Sequence, residues 1–580
     1  MEVSDMAKYE GFEFDPKLNR LLGTLAFVNG ESDIEQKEVP FDNPYDAPHP
    51  GFHVRKVKIS TGTKSYAMYI PKKFPPFGNG VILFVPDVIA ALDYMKDNGY
   101  DQIAEETDTT FIALEASGAG WTEWELNEAL EYARAVYVAQ DVRDLCAVNE
   151  AGYSVIGIGE ASYAAAIFAL LYSSVIAAFA CVDLPKIDPE LIEQIGGLPA
   201  DGNPMKTKLQ VPLSSWIVGE NDQLIPYLRE ANDTGEGLTA DKYVLYTQLP
   251  RPCNETINVQ ECGEVRYSKS KELVADNYYD LVTTLVNYVN SFRRQPGIGE
   301  KFYRRTQTQD ELRVKEFERV IGGIKRRWYI YLPTEYGKIE GKKYPVVMGL
   351  HGVCSTGLDF QRISEWNRLA EAKKIIMIYP FGYMRRFGPV MAPTVAWDYD
   401  DDDVQFLREI VEEVKKTYSV DCERIYLTGH SNGSGMTQAV LRKDPTLFAA
   451  YAPIGLTEGE LTDQGDVLAP PIPHHVKCPV WLLKGEFDIG QAASLEEDST
   501  NANMIRRWCD LNECDYQDAR TYTNGAYETT SYYDKEHVPM VRFTKVLGMY
   551  HAFNPEMSRL IWDYFCHFKR GEDDGVEYMG

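Results

Sequence analysis

The chain has 580 residues, and at about 100 to 200 residues per domain this length predicts two large domains or several small ones. Its composition, with 44% hydrophobic and 25% charged residues, is that of an ordinary folded protein and argues against wholesale disorder. A formal net charge of -28 leaves no basic surface to neutralise phosphates, which argues against nucleic acid and anionic membranes as partners. Small molecules are the better expectation.

The N-terminal segment lacks the basic stretch and apolar run of a secretory signal, so we expect a cytoplasmic protein, or a secreted one if the chain has been trimmed. Ten cysteines are sparse in a chain of this length, and free thiols are expected. Cys253 with Cys262, and Cys509 with Cys514, are close enough in sequence to pair if the protein is exported. Residues 1–50 read as an irregular extension.

The rest of the chain contains one pattern of elements twice. Four pairs of segments recur in the same order: 68–71 and 330–333, 155–159 and 425–429, 216–222 and 481–488, and 265–269 and 541–545. Strands alternating with helices over about 250 residues per copy predict, in each half, a doubly wound, mostly parallel sheet flanked by helices. Proline and glycine cluster at 294–299, which separates a first domain (51–295) from a second (301–580).

One uncharged segment, Ser162 to Val182, has the length of a membrane span. Its partner in the second copy carries charged residues at the corresponding place. We therefore predict a buried helix, a turn and a buried strand there.

The second copy contains Gly429-His-Ser431-Asn-Gly433, a G-x-S-x-G sequence between a predicted strand and a predicted helix. Small residues allow the tight, strained turn that exposes a nucleophilic serine. In such an arrangement the acid and the base follow in that order after later strands. Asp488 and His551 meet both conditions. Glu486 is the alternative acid, and Asp488 as a turn cap and His551 as an ordinary loop histidine are the alternatives without chemistry.

A tetrahedral intermediate needs backbone N–H groups aimed at its oxyanion. The residue after the nucleophile, Asn432, is one predicted donor, and Val353, in the glycine-containing loop after an early strand, is the other. Trp397 is either core filler or a wall of the acyl pocket. We assign His351, Trp397 and His430 to substrate binding. Segments 383–400, 456–476 and 515–537 interrupt the rhythm of strands and helices and are predicted to form the pocket.

Neither a metal nor a cofactor is expected. No spaced cluster of histidine, cysteine and carboxylate ligands accompanies the predicted triad. The acidic run from Asp398 to Asp403 could suggest a calcium loop, but it is more typical of a helix N-terminus, where the helix dipole stabilises carboxylates.

On these motifs, together with Leu350-His-Gly352, Ala396-Trp397, Lys484-Gly-Glu-Phe-Asp488 and Gly548-Met-Tyr-His551, residues 310 to 570 resemble the polyhydroxybutyrate depolymerase and feruloyl esterase families of α/β-hydrolases. The resemblance implies tandem α/β-hydrolase domains. It also implies a serine esterase acting on hydroxycinnamate, polyester or oligoester substrates, with a tryptophan near the substrate. A serine peptidase and a non-catalytic binding or scaffold protein are the alternatives.

The first copy lacks this chemistry. Aligning the repeats places Ala161 opposite Ser431, Ala275 opposite His551, and Pro86-Asp87 opposite His351-Gly352, while only Asp222 keeps its triad position. An acid without serine or histidine cannot transfer an acyl group. We therefore expect a non-catalytic domain, which covers the active site, binds part of the substrate or only buries surface.

Overall fold

A computed structural model describes residues 49–73, 79–86, 88–138, 153–200, 203–249, 263–296, 301–305, 312–353, 355–386, 393–458, 471–488, 493–497, 499–571 and 573–580. The predicted extension therefore lies outside the described residues except for its last two positions. So do Asp87, Cys253, Cys262 and most of the segment 456–476.

The strands of the first half are β1 (Gly51–Ile59), β2 (Gly62–Ile70), β3 (Asn79–Phe84), β4 (Thr109–Leu114), β5 (Tyr153–Ile158), β6 (Ala178–Val182), β7 (Pro199–Ala200), β8 (Asn203–Thr207), β9 (Ser214–Val218), β10 (Leu238–Thr239), β11 (Val244–Thr247), β12 (Glu264–Ser268) and β13 (Phe292–Pro296). Its helices are α1 (Ala91–Asp97), α2 (Tyr100–Thr107), α3 (Leu126–Val138), α4 (Ala161–Leu171), α5 (Pro189–Gly197), α6 (Ile225–Ala231) and α7 (Tyr278–Val289).

The strands that follow are β14 (Lys301–Arg305), β15 (Val314–Ile321), β16 (Ile324–Tyr331), β17 (Tyr344–Leu350), β18 (Ile376–Phe381), β19 (Tyr383–Arg386), β20 (Pro393–Ala396), β21 (Val420–His430), β22 (Ala450–Ile454), β23 (Val480–Phe487), β24 (Ala519–Asn524), β25 (Tyr527–Tyr532), β26 (Val541–Tyr550), β27 (Phe568–Arg570) and β28 (Val576–Tyr578). The helices are α8 (Gly357–Ser364), α9 (Trp366–Lys373), α10 (Asp401–Thr417), α11 (Asn432–Lys443), α12 (Thr500–Asn512) and α13 (Pro555–Phe565).

Each half is built on one ten-stranded sheet, and the two sheets have the same strand order. The first runs β1-β2-β4-β3-β5-β6-β9-β12-β11-β10 and the second runs β15-β16-β18-β17-β21-β22-β23-β26-β25-β24. In both, six central strands are parallel, and antiparallel pairs close the edges. The prediction that each half folds as a mostly parallel sheet flanked by helices is confirmed.

The central strands are buried on both faces because helices cover both sides of each sheet. β3, β4, β17 and β18 are buried at every residue, as their continuous apolar sequences predict. One large apolar core fills the second half, and two cores fill the faces of the first sheet. Each sheet is thus a rigid frame that presents the carboxyl ends of its parallel strands at one edge.

The uncharged segment in the first half forms the buried helix α4 and the buried strand β6, as predicted. Within the ranges given above, no helix combines the length and apolarity that crossing a bilayer requires. The segment 515–537 does not form an insertion over a pocket. It supplies β24 and β25, which extend the main sheet, because its alternating threonine and tyrosine residues pair across strands.

Candidate active site

The predicted nucleophile lies in a strained turn between β21 and α11. Ser431 follows the last residue of β21, has a φ of 56°, and immediately precedes the first residue of α11. Its backbone N–H donates to the carbonyl of Ile454 on the neighbouring strand at 2.9 Å. A positive φ at a non-glycine residue is held only when the surrounding structure imposes it. The turn therefore has the geometry of a nucleophile elbow.

Both glycines of the pentapeptide are required for steric reasons. A Cβ atom added to Gly429 would lie 2.3 Å from the carbonyl oxygen of Gly433. One added to Gly433 would lie 2.5 Å from the carbonyl oxygen of Leu350, at the end of β17. The elbow is thus packed directly against the strand that leads into the predicted oxyanion loop.

The predicted base and acid contact each other. His551 Nδ1 lies 2.5 Å from Oδ1 of Asp488, whose side chain is fully buried. The carboxylate holds the proton on Nδ1 and leaves Nε2 as the basic nitrogen. Within the described part of the chain, His551 Nε2 is buried and has no hydrogen-bond partner. The imidazole is therefore oriented to accept a proton from a neighbouring group.

The alternative acid has a different partner. Glu486 accepts a hydrogen bond from the backbone N–H of Gly548 at 2.8 Å, which ties the end of β23 to β26, the strand that precedes His551. Asp488, two residues later, also accepts from the N–H of Gly485 at 3.3 Å. The geometry therefore favours Asp488 as the acid and gives Glu486 a supporting contact.

A glycine that no motif indicated makes room for this pair. Gly455 follows β22 and has a φ of +83°. An added Cβ would lie 3.0 Å from Cε1 and 3.2 Å from Nδ1 of His551, and 3.5 Å from Oδ2 of Asp488. Any side chain here would press on the imidazole. In the sequence, Gly455 is marked only by its position directly after a buried strand that neighbours β21, the strand preceding Ser431.

The predicted oxyanion loop lies against the nucleophile. A Cβ added to Gly352 would be 3.2 Å from the Cβ of Ser431. Val353 follows in the same loop, and Asn432 begins α11. Both predicted backbone donors therefore lie on segments that adjoin Ser431, although their roles remain predictions. Cys354, the next residue of the loop, lies outside the described residues.

His351 and Trp397 do not fit their assignment to substrate binding, since both side chains are fully buried. His351 Nε2 accepts from the N–H of Gly382 at 2.8 Å, so Nδ1 carries the proton and donates to the carbonyl of Gly352 at 2.7 Å. Burial lowers the pKa of His351 to about 4 and keeps it neutral. The Trp397 indole N–H donates to the carbonyl of His351 at 3.0 Å. These side chains therefore hold the predicted oxyanion loop in place.

The side chain of Asn432 completes this support. Its amide accepts from the N–H of Trp397 at 2.6 Å and donates to the carbonyl of Trp397 at 3.0 Å and to the hydroxyl of Tyr399 at 2.8 Å. These side-chain hydrogen bonds fix the position of Asn432, which is also the first residue of α11. Tyr399 is a supporting residue that the sequence did not indicate.

His430 lies beside the predicted base. Its ring centroid is 4.8 Å from that of His551, with 33° between the ring planes. Burial and the neighbouring imidazole hold the pKa of His430 well below its ordinary value, so the ring is neutral near pH 7. Among the described residues its Nε2 has no partner. His430 therefore stays a candidate for substrate contact, with an available polar atom at the base.

The acidic run begins a helix, as predicted. Asp400 caps α10 by accepting from the N–H of Asp403, and the buried Asp403 pairs with Arg326 at 2.9 Å. Among the residues that the structure describes, no group of three or more possible ligands could hold a metal ion. Cys509 and Cys514 are both free thiols here.

The first half shows a different alignment at the elbow. The N–H of Gly159 donates to the carbonyl of Val182 at 2.9 Å, just as Ser431 N–H donates to Ile454, and Gly159 has a φ of +61°. Gly159 therefore occupies the place that Ser431, the predicted nucleophile, occupies in the second half. The alignment that placed Ala161 there was wrong by two residues, because hydrogen bonding between strands fixes a register that weak sequence similarity does not.

The same register also corrects the alignment of the first half with the predicted oxyanion loop. Phe84 pairs with Gly157, as Leu350 pairs with Gly429, so Val85 and Pro86 occupy the places of His351 and Gly352.

The space for a base is also filled in the first half. Asp183, with a φ of 52°, directly follows β6 and occupies the place of Gly455. Its carboxylate lies 3.4 Å from the ammonium of Lys271. No histidine occurs between β12 and α7, and Ala275 lies in that connection. Asp222 is therefore an acid with no base to orient.

No family model matches the chain. It is 28% identical over 132 residues to a bifunctional acetylxylan esterase/xylanase of Neocallimastix patriciarum, covering 23% of this chain and 18% of that protein. It is 28% identical over 116 residues to poly(3-hydroxyalkanoate) depolymerase C of Paucimonas lemoignei, covering 19% and 27%. The structure of an acetyl xylan esterase from Aspergillus awamori matches 43% of this chain and 99% of that one, with 17% identity and a TM-score of 0.34.

The chain spans less than half the length of the curated relatives it matches. Those relatives are esterases and a depolymerase, and the resemblance to α/β-hydrolase esterases that the motifs predicted is confirmed.

Proposed function

We propose that this protein is a serine esterase that hydrolyses carboxylic esters at Ser431 through an acyl-enzyme. The observation that carries the proposal is the His551–Asp488 contact of 2.5 Å next to the strained elbow, with Nε2 of the histidine left available. A serine hydroxyl is a weak nucleophile until a positioned base removes its proton. The arrangement supplies that base and orients it.

In the proposed reaction, Ser431 Oγ attacks the ester carbonyl carbon while His551 Nε2 takes the hydroxyl proton. The buried carboxylate of Asp488 stabilises the imidazolium that forms. Backbone N–H groups of Asn432 and Val353 stabilise the oxyanion. The C–O bond to the alcohol then breaks, and His551 gives its proton to the leaving oxygen.

Water completes the cycle. His551 Nε2 removes a proton from a water molecule, whose oxygen attacks the acyl-enzyme carbonyl, and the second intermediate collapses with release of the acid and return of the proton to Ser431. Asp488 and the two N–H donors act in the same way during formation and during hydrolysis of the acyl-enzyme. No cofactor enters these steps.

Acetyl, hydroxycinnamoyl and 3-hydroxyalkanoate esters are the substrate classes to test. The family resemblance implies hydroxycinnamate or short polyester substrates, and the curated relatives are named for acetylxylan and polyhydroxyalkanoate. The net charge of -28 disfavours anionic polymers and is compatible with neutral sugar or polyester chains.

A panel of substrates tests the proposal. p-Nitrophenyl esters of increasing acyl length, methyl ferulate, acetylated xylan and hydroxybutyrate oligomers are compared with peptide anilides, with Ser431→Ala as the blank. We expect ester turnover that the substitution abolishes. Turnover of anilides alone would indicate a peptidase, and no turnover of any substrate by folded protein would indicate a binding or scaffold protein.

A further inference from the structure

Helix α8 follows the predicted oxyanion loop, and its charged side chains are buried. Asp359 is 3% exposed and Arg362 is 7% exposed. One face of the helix packs on β17, β18 and α13. Aspartate and arginine are almost never fully buried unless they are paired. The two charges pair with each other along α8, and their burial requires that other parts of the protein cover this face of the helix.

The cover comes from the end of the first half. Arg362 Nη1 donates to the backbone carbonyl of Arg294 at 3.4 Å, and both Arg293 and Arg294 are fully buried. They lie on β13, whose first residue, Phe292, belongs to a core of the first half. Burial and the positive charge of Arg362 lower the pKa of Arg293 to about 9. The carboxylate of Asp359 acts in the opposite direction and raises that pKa.

β13 is itself fixed to the first half. The guanidinium of Arg294 donates to the carbonyls of Ile176 at 2.9 Å and Pro212 at 2.7 Å, and also to the carbonyl of Ser173. Those carbonyls border the strands of the first sheet. Charge-assisted bonds to several fixed acceptors hold the side chain in one place. The carbonyl that Arg362 contacts is thus a rigid part of the first half.

On the other side, the network reaches the loop beside the nucleophile. Asp359 Oδ1 accepts from Arg362 Nε at 2.9 Å and Nη2 at 2.5 Å, and Oδ2 accepts from Ser355 Oγ at 2.8 Å. Thr356 caps the helix by accepting from the N–H of Asp359 at 3.1 Å. Ser355 lies two residues after Val353. One buried ion pair therefore connects β13 to the predicted oxyanion loop.

We infer that the first half positions the oxyanion loop of the second half, through the contact from Arg294 to Arg362, Asp359 and Ser355. An oxyanion donor is effective only when it is held within a few tenths of an ångström of the place where charge develops. Asp359 fixes the loop through Ser355, and Arg362 fixes Asp359 against the first half. This role explains why a half without a nucleophile or a base remains attached to one that has both.

The inference rests on the proposed esterase function, and two variants of the full chain test it. Ser355→Ala removes the last link and leaves the ion pair, and we expect kcat to fall about 10-fold with KM changed less than about 2-fold. Asp359→Asn breaks the pair as well and should lower kcat about 100-fold. The matched control is Arg368→Gln, whose side chain is 69% exposed in a pair with Glu365. Its kcat should equal that of the wild type.

Active-site titration with a fluorophosphonate separates positioning from folding, because kcat is then expressed per reactive Ser431. A merely structural role would lower the titratable fraction and leave kcat per site unchanged, and that result in Ser355→Ala would overturn the inference. If the wild type hydrolyses esters and both variants match it, the inference fails while the proposed function stands. If the wild type neither hydrolyses esters nor reacts with the probe, the proposed function itself fails.

Discussion

The two sheets share their strand order but differ at one edge. Trp216 and Trp481 each lie under an arginine, with 5.1 Å from Arg266 and 5.2 Å from Arg542 to the ring centroid. Each indole N–H also donates to a hydroxyl, on Ser268 and Thr544 respectively. Because both halves have these contacts, we assign the contacts a role in stabilising the fold.

The differences mark the chemistry. Where the second half has Ser431 and Gly455, the first has Gly159 and Asp183, and no histidine follows β12. The loss is therefore threefold: nucleophile, base and the space for the base. A single substitution does not restore such a site. The comparison predicts which residues change the reaction and which change only stability.

The largest effect is expected at the elbow. Ser431→Ala should lower kcat on esters by about 10⁵-fold or more, since the triad acts as a unit. Gly159→Ser in the same assay should add no activity to the Ser431→Ala protein. Hydrolysis restored by the second substitution would contradict the absence of a working base and acid in the first half.

Next comes the acid. Asp488→Asn should lower kcat by about 10⁴-fold, because an amide favours the wrong tautomer of His551. Asp222→Asn, at the corresponding acid of the first half, should leave kcat unchanged. Steady-state kinetics with p-nitrophenyl esters measure both. Equal losses in the two variants would give the first half a part in catalysis.

The space for the base is tested by exchanging the two residues that follow β6 and β22. Gly455→Asp copies the first half and should lower kcat at least about 100-fold, since its Cβ would lie 3.0 Å from the His551 ring at a φ of +83°. The control is Asp183→Gly, which should retain wild-type kcat. Full activity in Gly455→Asp would show that the imidazole tolerates the side chain.

A smaller effect concerns stability and pH. The pKa of His351 is about 4 when folded, and its ordinary value is 6.5, so the unfolded state binds the proton first as pH falls. The contribution of His351 to the free energy of unfolding is fully present above pH 6.5, and it decreases by about 3 kcal/mol as the pH falls to 4. Val85 stands at this place in the first half. Hydrogen exchange should therefore show protection of β17 falling with acid more than that of β3, and His351→Gln should reduce the difference.

The smallest effect is expected at a feature that both halves keep. Trp121 donates to the carbonyl of Val85 at 2.7 Å, and Trp397 donates to the carbonyl of His351 at 3.0 Å. Trp121→Phe and Trp397→Phe should each cost about 1 to 2 kcal/mol, measured by hydrogen exchange in the affected half. Only Trp397→Phe should also lower kcat. If both Trp121→Phe and Trp397→Phe lowered kcat, Trp121 would not be a purely structural residue and the prediction would be wrong.

The architecture could be predicted from the sequence, and so could Asp488 and His551, which the structure brings into contact, because both depend on local patterns. The catalytic roles of Ser431, Asp488 and His551 stay predictions. Continuous apolar strands, a glycine-rich turn and polar residues after late strands can be read without coordinates. The alignment of Ala161 with Ser431 failed because the two halves differ by short insertions between landmarks. The elbow position is fixed by the pairing of β5 with its neighbouring strands and of β21 with its own.

Three features required the structure. Gly455 and Asp183 have no motif, and their importance appears only in the space beside His551. Trp397 reads equally well as a pocket wall or a core residue, and its full burial decides between them. The connection from Arg294 to Asp359 joins residues 65 positions apart through side chains, which neither periodicity nor spacing encodes.

Labelling of the intact chain with a fluorophosphonate, followed by peptide mapping by mass spectrometry, tests directly whether the chain has one reactive serine in its second half. We expect one adduct per chain, on Ser431, which disappears in Ser431→Ala and is not replaced by an adduct elsewhere. An unlabelled but folded wild-type chain, or an adduct on a serine of the first half, would contradict this expectation.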